Sequence, residues 1–289
     1  NSNTTGENNT ATGVRSLKVN TTGNSNLAVG YETLIRNTTG SYNSATGAYA
    51  LYSNTTGIDN SATGSAALYS NTTGSKNSAT GYAALQTNTT GTRNQAFGYY
   101  ALYLNTTGSS NTVAGDNALR TNTTGGYNVA TGATALYANT TGYENSAIGS
   151  NALFSNTTAY GNTAVGHHAM YSNTTGASNV AAGFQALLAN TTGALNIGIG
   201  YGAGDAITTG SNNTIIGDYA GSTTLADTVV IAAGTTERIK VNSTGLYVNT
   251  TLVTGANSVD SDQYVDGSID LAHMSANSVD SDQYVDGSI

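Results

Sequence analysis

The chain has 289 residues, of which 36 are Gly and none is Pro, Cys or Trp, and only 8% are charged, with a formal net charge of −8. An ordinary soluble domain has about 25% charged residues and a core of large aliphatic and aromatic side chains, so this composition argues against a conventional globular core. No apolar run approaches the roughly 20 residues of a membrane-spanning helix, and the absence of Cys excludes disulfides and Cys-ligated metal sites.

A 17-residue repeat organises most of the chain. The tetrapeptide NTTG first occurs at Asn3 and returns at intervals of 17 residues, or twice 17, up to Asn190. The skipped copy at Asn156 reads NTTA, and a further copy, ITTG at Ile207, keeps the same phase. Because no insertion or deletion breaks this register, each unit must contact its neighbours in the same way. We therefore predict an all-β fold, a parallel β-solenoid or β-roll of 17-residue coils over residues 1–222.

The fixed positions of the unit, numbered from the Asn of NTTG, indicate its corners and its interior. We expect Gly at positions 4 and 11 to provide positive-φ corners between short strands of four to six residues, and Asn at position 7 to form a ladder. Strand alternation places Ala of position 9 and Leu of position 15 in a narrow interior and position 16 on the opposite face. The variable positions 8 and 10 face either a partner subunit or a second interior layer. The interior columns include Ala45, Ala62, Ala79, Ala96, Ala130 and Ala147, and Leu51, Leu68, Leu85, Leu102, Leu119, Leu136, Leu153 and Leu187.

The thin interior predicts association between chains. One Leu and two Ala per coil bury too little apolar surface to offset the conformational entropy lost by 17 ordered residues, and the chain has no disulfides. Burial between chains is the remaining source of stability. We therefore expect an oligomer, and for a fibrous solenoid a homotrimer.

Two different segments follow the repeat. Residues 223–255 lose the 17-residue phase, and their β-branched residues and Gly-marked turns predict three short strands that cap the open sheet edge. Residues 256–289 contain the sequence ANSVDSDQYVDGSI twice, with a period of 20, and carry seven of the sixteen acidic residues without any Lys or Arg. We predict an acidic shaft segment, incomplete here. Because the chain also begins inside a coil, we expect it to be part of a longer protein.

Several motifs resemble those of known fibre proteins. The strings NSATG at Asn43, NSAIG at Asn145 and NTAVG at Asn162 resemble the SVAIG-type repeat of YadA-like trimeric adhesin heads, whose repeat is shorter. The longer pattern GxxNxAxGxxALxxNTT resembles repeats of phage tail fibres. The segment TVVIAAGTTERIKVNSTGLYV resembles the strands before their C-terminal chaperone domains, and NSVDSDQYVDGSIDLAHM resembles marine phage fibre shafts.

This resemblance implies a left-handed, homotrimeric fibre on a virion tail that binds a host-surface glycan or receptor. The alternative is a bacterial or other cell-surface trimeric adhesin, or an extracellular filament. A third hypothesis is an ice-binding solenoid, which is disfavoured because the adjacent Thr38 and Thr39 point opposite ways.

The charged residues predict neither catalysis nor nucleic-acid binding. Acidic residues of the repeat are expected to be isolated, with no two stacked on each other in adjacent coils, so the paired carboxylates of a polysaccharide-cleaving enzyme are not predicted. We expect no enzyme and no cofactor. No basic stripe indicates a nucleic-acid partner. The acids considered are Glu7, Glu32, Asp59, Asp116 and Glu144.

Four sets of residues are candidates for binding or modification. The aromatic column at position 16 either packs between coils or subunits or stacks on sugar rings, and its tyrosines are Tyr52, Tyr69, Tyr103, Tyr137 and Tyr171. Each NTT is a glycosylation sequon on a corner where a glycan would fit, at Asn37, Asn54, Asn71, Asn88, Asn105, Asn122 and Asn139. We expect His167 and His168 to be a solvated pair rather than a metal site. Asp260, Asp262 and Asp266 lack the oxygen spacing of a calcium loop, and we expect a solvated acidic face there.

Overall fold

The structure, a computed structural model, describes residues 2–253. The acidic segment 256–289 and its aspartates lie outside the described residues. Within residues 2–253 all regular structure is β, in one seventeen-stranded sheet. The strands are β1 Thr10–Thr12, β2 Leu27–Val29, β3 Ser44–Thr46, β4 Ser61–Thr63, β5 Ser78–Thr80, β6 Gln95–Phe97, β7 Thr112–Ala114, β8 Val129–Thr131, β9 Ser146–Ile148, β10 Thr163–Val165, β11 Val180–Ala182, β12 Ile197–Ile199, β13 Thr214–Ile216, β14 Val229–Ala233, β15 Thr236–Asn242, β16 Gly245–Val248 and β17 Thr251–Val253.

The 17-residue period is the length of one coil. Each of the strands β1 to β12 pairs in parallel with the strand that begins 17 residues later, so that Ala45 lies opposite Ala62, and Ala62 opposite Ala79. Parallel strands lie about 4.8 Å apart, which gives the thirteen-strand stack a height of roughly 60 Å. The predicted parallel β-solenoid is confirmed.

The interior consists of three columns of small and medium side chains. Ala at position 9, Ala at position 14 and Leu at position 15 are buried, and Met170 takes the place of Leu in its coil. These side chains form one continuous hydrophobic cluster along the stack. The predicted interior columns are confirmed, and the packing is narrow because most coils contribute two methyl-sized side chains and one larger one.

Only positions 8–10 of each coil form a strand, which is shorter than predicted. Positions 6, 13 and 15 have positive φ although they are rarely Gly; in one coil Tyr100 and Leu102 each have φ of 53°. Positions 13 and 15 both have a left-handed backbone conformation. Together they turn the chain at positions 12–17 and prevent an extended conformation there. Strand alternation is therefore the wrong basis for placing position 16 on the face opposite the interior, because positions 15 and 16 lie in a turn.

The two Gly positions are required for different reasons. Gly115, at position 11, has φ of 147°, a region open only to Gly, as predicted. Gly108, at position 4, does not have positive φ, so the prediction of a positive-φ corner is wrong there. A Cβ on Gly108 would instead collide with the carbonyl oxygen of Gly125 and with Oδ1 of Asn105. Position 4 is Gly because neighbouring coils approach each other closely.

The segment after the repeat continues the same sheet. β14 pairs in parallel with β13, and β14 to β17 then form an antiparallel meander. The three predicted strands are β14, β15 and β16, and β17 is a fourth. Glu237 on β15 binds Lys240 over 3.0 Å. Burial, and then a hydrogen bond to Glu237, raises the pKa of Tyr219 to about 12.

Candidate functional site

Two ladders of buried asparagines run along the stack. In the ladder at position 7, Asn111 donates from Nδ2 to Oδ1 of Asn94 over 3.1 Å and to the carbonyl of Gly125 over 3.0 Å. Its backbone N–H also donates to Oδ1 of Asn94. This predicted ladder is confirmed, and it satisfies polar groups that burial would otherwise leave unpaired.

The sequon asparagines form the second ladder, at position 1. Nδ2 of Asn37 donates to Oδ1 of Asn20 over 2.8 Å and to the carbonyl oxygen of Gly40 over 2.9 Å. All seven candidate asparagines are 0% exposed: Asn37, Asn54, Asn71, Asn88, Asn105, Asn122 and Asn139. Because an N-linked glycan attaches to Nδ2, whose hydrogens are used here inside the coil, the folded chain has no room for the glycans expected at this corner.

The position 16 tyrosines are half-buried and stack along the solenoid. Tyr52 lies on Tyr69 with ring centroids 4.8 Å apart and planes 5° apart. Tyr137 and Tyr171 stack on the two faces of Phe154, at 5.2 and 5.1 Å. Tyr103 has Gln86 and Arg120 as its neighbours in this column. Packing between coils is therefore present, and the outer ring edges remain partly accessible.

Positions 12 and 13 add aromatic residues that the sequence analysis did not identify. Tyr99 contacts Tyr100 at a centroid distance of 4.2 Å, and Tyr100 contacts Tyr103 at 4.8 Å, which links these positions to position 16. When the coils are aligned, aromatic residues recur at positions 12 and 13 in several of them, so the sequence already contained this pattern. We call the combined set the aromatic band: Tyr31, Tyr49, Tyr52, Tyr69, Tyr82, Tyr99, Tyr100, Tyr103, Tyr137, Phe154, His167, His168, Tyr171, Phe184 and Tyr201.

Arginines add polar recognition groups to the aromatic band. The guanidinium of Arg120 lies 5.1 Å from the ring centroid of Tyr100 and 5.8 Å from that of Tyr103, and it donates to the hydroxyl of Tyr137 over 3.1 Å. Arg36 lies 5.0 Å from the ring of Tyr52. Aromatic faces next to hydrogen-bond donors can stack on rings that are apolar on one side and hydroxylated at the edge.

The histidine pair belongs to the aromatic band. The rings of His167 and His168 are 3.9 Å apart, His167 stacks on Phe184, and His168 packs against Tyr171. Burial, together with the neighbouring His167, lowers the pKa of His168. Among residues 2–253 there is no group of three or more His, Cys, Asp or Glu side chains that could hold a metal ion.

One acidic pair contradicts the expectation that acids are isolated. Asp205 and Asp218 lie in adjacent coils and both approach Gly202, where an added Cβ would lie 3.4 Å from Oδ2 of Asp205 and 3.2 Å from Oδ1 of Asp218. Burial and then Asp218 raise the pKa of Asp205. The sequence analysis missed the pair because these aspartates occupy different positions, 16 and 12, of their coils.

The strands present a second surface, which we call the strand face: the outward side chains at positions 8 and 10 of β1–β14. These positions point away from the interior, so they do not form a second interior layer. None of them is charged. In β3 and β4 they are Ser and Thr, whereas from β10 onward they are mainly Val and Ile. From β10 onward the exposed apolar residues of the strand face are Val165, Val180, Ile197, Ile199, Ile216, Val229 and Ile231, and the meander adds Ile239, Val241, Leu246 and Val248; earlier strands contribute Leu27, Phe97 and Ile148.

The fold identifies the chain as a β-solenoid repeat protein. Comparison of the chain with protein-family models, with curated proteins and with solved structures finds no match. No helix in the described part of the chain is long and apolar enough to span a membrane.

Proposed function

We propose that the chain is a structural, non-enzymatic segment of an extracellular adhesion fibre, namely a phage tail fibre on the virion, and that it acts as a homotrimer. The observation that supports this most is the strand face, which has no charged side chain along its length. The charged residues of the repeat occur at positions 5, 6, 12, 13, 16 and 17 instead. Such a separation is expected when one surface is buried against a partner and the others remain in water.

The strand face together with the adjoining meander has the area of a stable interface. Seven exposed apolar side chains of the strand face from β10 onward and four of the meander are each 36–43% exposed. At roughly 60 Å² each they offer on the order of 700 Å² per chain, against about 800 Å² per partner in a standard interface. Exposed apolar patches of this size mark interaction sites.

A second copy of the same chain is the partner that fits this surface. The outward side chains of positions 8 and 10 recur once per coil, so a matching partner needs the same rise along its axis. A second copy of the same stack has that rise because its coils are the same. The outward side chains of the two copies therefore interdigitate along the whole length. Two further copies around one axis bury the strand face of each chain in a homotrimer.

The aromatic band is then the surface left for adhesion. Its stacked rings, together with Arg36 and Arg120, offer flat apolar faces beside hydrogen-bond donors, which suits the sugar rings of a host-surface glycan. The resemblance of the repeat to tail-fibre and trimeric adhesin repeats supports the same function.

Sedimentation equilibrium of the full chain tests the assembly. The expected mass is three times 29.1 kDa. Ile199→Asp and Ile216→Asp should dissociate the trimer, because each buries a charge in the apolar interface. The matched control is Leu195→Asp, an exposed apolar residue at position 6, where Asp59 occurs naturally. A monomeric wild-type chain, or a trimer that survives both strand-face variants, would overturn this assembly.

The adhesive surface is tested separately with immobilised bacterial surface polysaccharides. Tyr69→Gln is a matched change in the aromatic band, because Gln86 occupies the same position in the next coil. Together with Tyr171→Gln it should weaken binding about tenfold while leaving the sedimentation mass unchanged. Wild-type binding that both variants retain in full would show that the aromatic band is not the adhesive surface.

A further inference from the structure

A slot interrupts the column of side chains at position 5, away from the aromatic band. Tyr143 and Tyr160 occupy this position in consecutive coils and stack with centroids 5.1 Å apart and planes 5° apart. The coil before Tyr143 has Gly126 at the same position, and the coil before that has Ser109. One face of the Tyr143 ring therefore lies on Tyr160, and its other face looks onto a gap where a side chain is absent.

A backbone donor lies beside the same gap. Where position 5 is Ser, its hydroxyl accepts the position 5 N–H of the preceding coil, as Ser75 does for Ile58 and Ser109 does for Thr92, each over 3.0 Å. Gly126 has no hydroxyl to offer Ser109. Among residues 2–253 the Ser109 N–H has no hydrogen-bond acceptor, and its nitrogen lies 3.7 Å from the place where a Cβ on Gly126 would be.

The walls of the slot combine hydroxyls, two phenol rings and one carboxylate. Thr107, Thr124 and Thr141 line one side of a cavity of about 420 Å³, and Tyr127 and Glu144 also line it. Tyr127 is 69% exposed and Tyr143 is 44% exposed, so both rings are accessible to a ligand from solvent. No Lys or Arg is among the lining residues.

We propose that this slot binds one hexopyranose unit of a neutral glycan. The C–H face of a pyranose stacks on the open face of Tyr143, while its hydroxyls accept from the Ser109 N–H and donate to Glu144. The threonine hydroxyls can both donate and accept. The volume lies within the usual range for small-molecule sites, about 300–1,000 Å³.

Charge narrows the ligand class further. Uronic and sialic acids would place a carboxylate beside that of Glu144 without a cation to compensate, so acidic sugars are disfavoured. The slot rests on the proposed adhesive function, but it is a discrete site for a single sugar, whereas the aromatic band is an extended surface.

Saturation-transfer NMR on the full chain tests the slot with methyl β-D-glucopyranoside, methyl β-D-galactopyranoside and methyl α-D-mannopyranoside as probes. We expect saturation transfer to at least one of them and at least about fivefold less transfer to methyl β-D-glucuronide. Gly126→Ser fills the slot with the residue that position 5 carries at Ser41, Ser75 and Ser109, so the fold should tolerate it. Tyr143→Ala removes the ring at a position where Ala177 and Ala194 occur naturally.

Both variants should reduce saturation transfer about fivefold or more, whereas the control Tyr42→Ser, an exposed tyrosine outside the slot and the aromatic band at a position where Ser110 occurs naturally, should not. The absence of transfer to all three neutral glycosides overturns the proposal, and so does transfer that Gly126→Ser leaves unchanged or a glucuronide signal equal to the neutral ones. Loss in Tyr69→Gln alone would place sugar binding on the aromatic band and overturn the slot. Loss in the slot variants combined with unchanged polysaccharide binding in the aromatic band variants would support the slot and contradict the extended adhesive surface.

Discussion

Asn105 donates a hydrogen bond from Nδ2 to Oδ1 of Asn88, one coil earlier, over 2.9 Å, and both residues are fully buried. The same bond links position 1 of successive coils up to Asn190. There the ladder ends, because Ile207 replaces Asn in the next coil. Within residues 2–253, Oδ1 of Asn190 is the buried side-chain atom that has no hydrogen-bond partner. One Asn side-chain amide per coil therefore links each coil to the next along the stack.

Asn105→Ala should destabilise the fold strongly. It removes the bonds to Asn88 and to the Gly108 carbonyl and also removes the acceptor of Asn122, which leaves buried polar groups unpaired. We expect a loss of about 2–5 kcal/mol in the free energy of unfolding, measured by urea denaturation. Asn117→Ala is the control, because position 13 is Ala at Ala66 and Ala83. Equal losses in the two variants would contradict a structural role for the ladder.

Leu102→Asp should unfold several coils, because it places an unpaired charge in an interior that repeats in every layer. We expect a loss of at least about 4 kcal/mol in the free energy of unfolding. Leu104→Asp changes the same residue type at a partly exposed site and should cost little. Leu102→Met should also be tolerated, because Met170 fills the same column. A Leu102→Asp protein that melts with wild-type cooperativity would show that the interior is assigned wrongly.

The two Gly positions should differ in their tolerance of Ala. Gly115→Ala combines φ of 147° with a collision against the backbone of Gly132, and we expect it to cost about 3 kcal/mol or more. At position 4 the chain already contains Ala159, where the bond from Nδ2 of Asn156 to the Ala159 carbonyl is stretched to 3.3 Å. Gly108→Ala should therefore cost about 1 kcal/mol. Thermal unfolding of the two variants in parallel measures the order, and the reverse order would refute this explanation.

His168 should make stability depend on pH in the mildly acidic range. Burial and His167 lower its pKa from the ordinary 6.5, so the folded chain binds fewer protons than the unfolded chain. Stability should be highest above pH 6.5 and fall as the pH drops below that value. His168→Asn introduces the residue that Asn151 already provides at the same position, and it should remove this component. The pKa of Asp205 is raised in the folded chain, so its protonation should instead increase stability as the pH falls, in a lower pH range. Melting temperatures between pH 7.5 and 5.5 test this, and identical slopes for the two proteins would contradict it.

The sequence predicts the parts of the fold that the repeat itself determines. A fixed period without insertions leaves stacking as the one arrangement that treats all units alike, so the coil length, the Ala and Leu columns and the Asn ladder at position 7 follow directly. The turns at positions 12–17 do not follow, because Leu102 and Tyr100 adopt a left-handed backbone that their side chains disfavour. Contacts between coils impose this left-handed backbone, and the local conformational preferences of the residues do not reveal those contacts.

The surfaces were less predictable than the interior. Asn37 has the sequence of a glycosylation site and also of a buried ladder, and only the geometry of its Nδ2 atom distinguishes the two. The slot beside Tyr143 depends on Gly126, which looks in the sequence like one variable residue among many. The role of Gly126 in forming the slot is recognised only when position 5 is compared between neighbouring coils.

X-ray fibre diffraction from aligned protein tests the central claim that 17 residues make one full circuit of the coil. Stacked coils predict a strong meridional reflection at a spacing of about 4.8 Å, the distance between paired strands. Absence of that reflection from a folded, aligned sample would contradict the stack, and with it the ladders, the strand face and the slot.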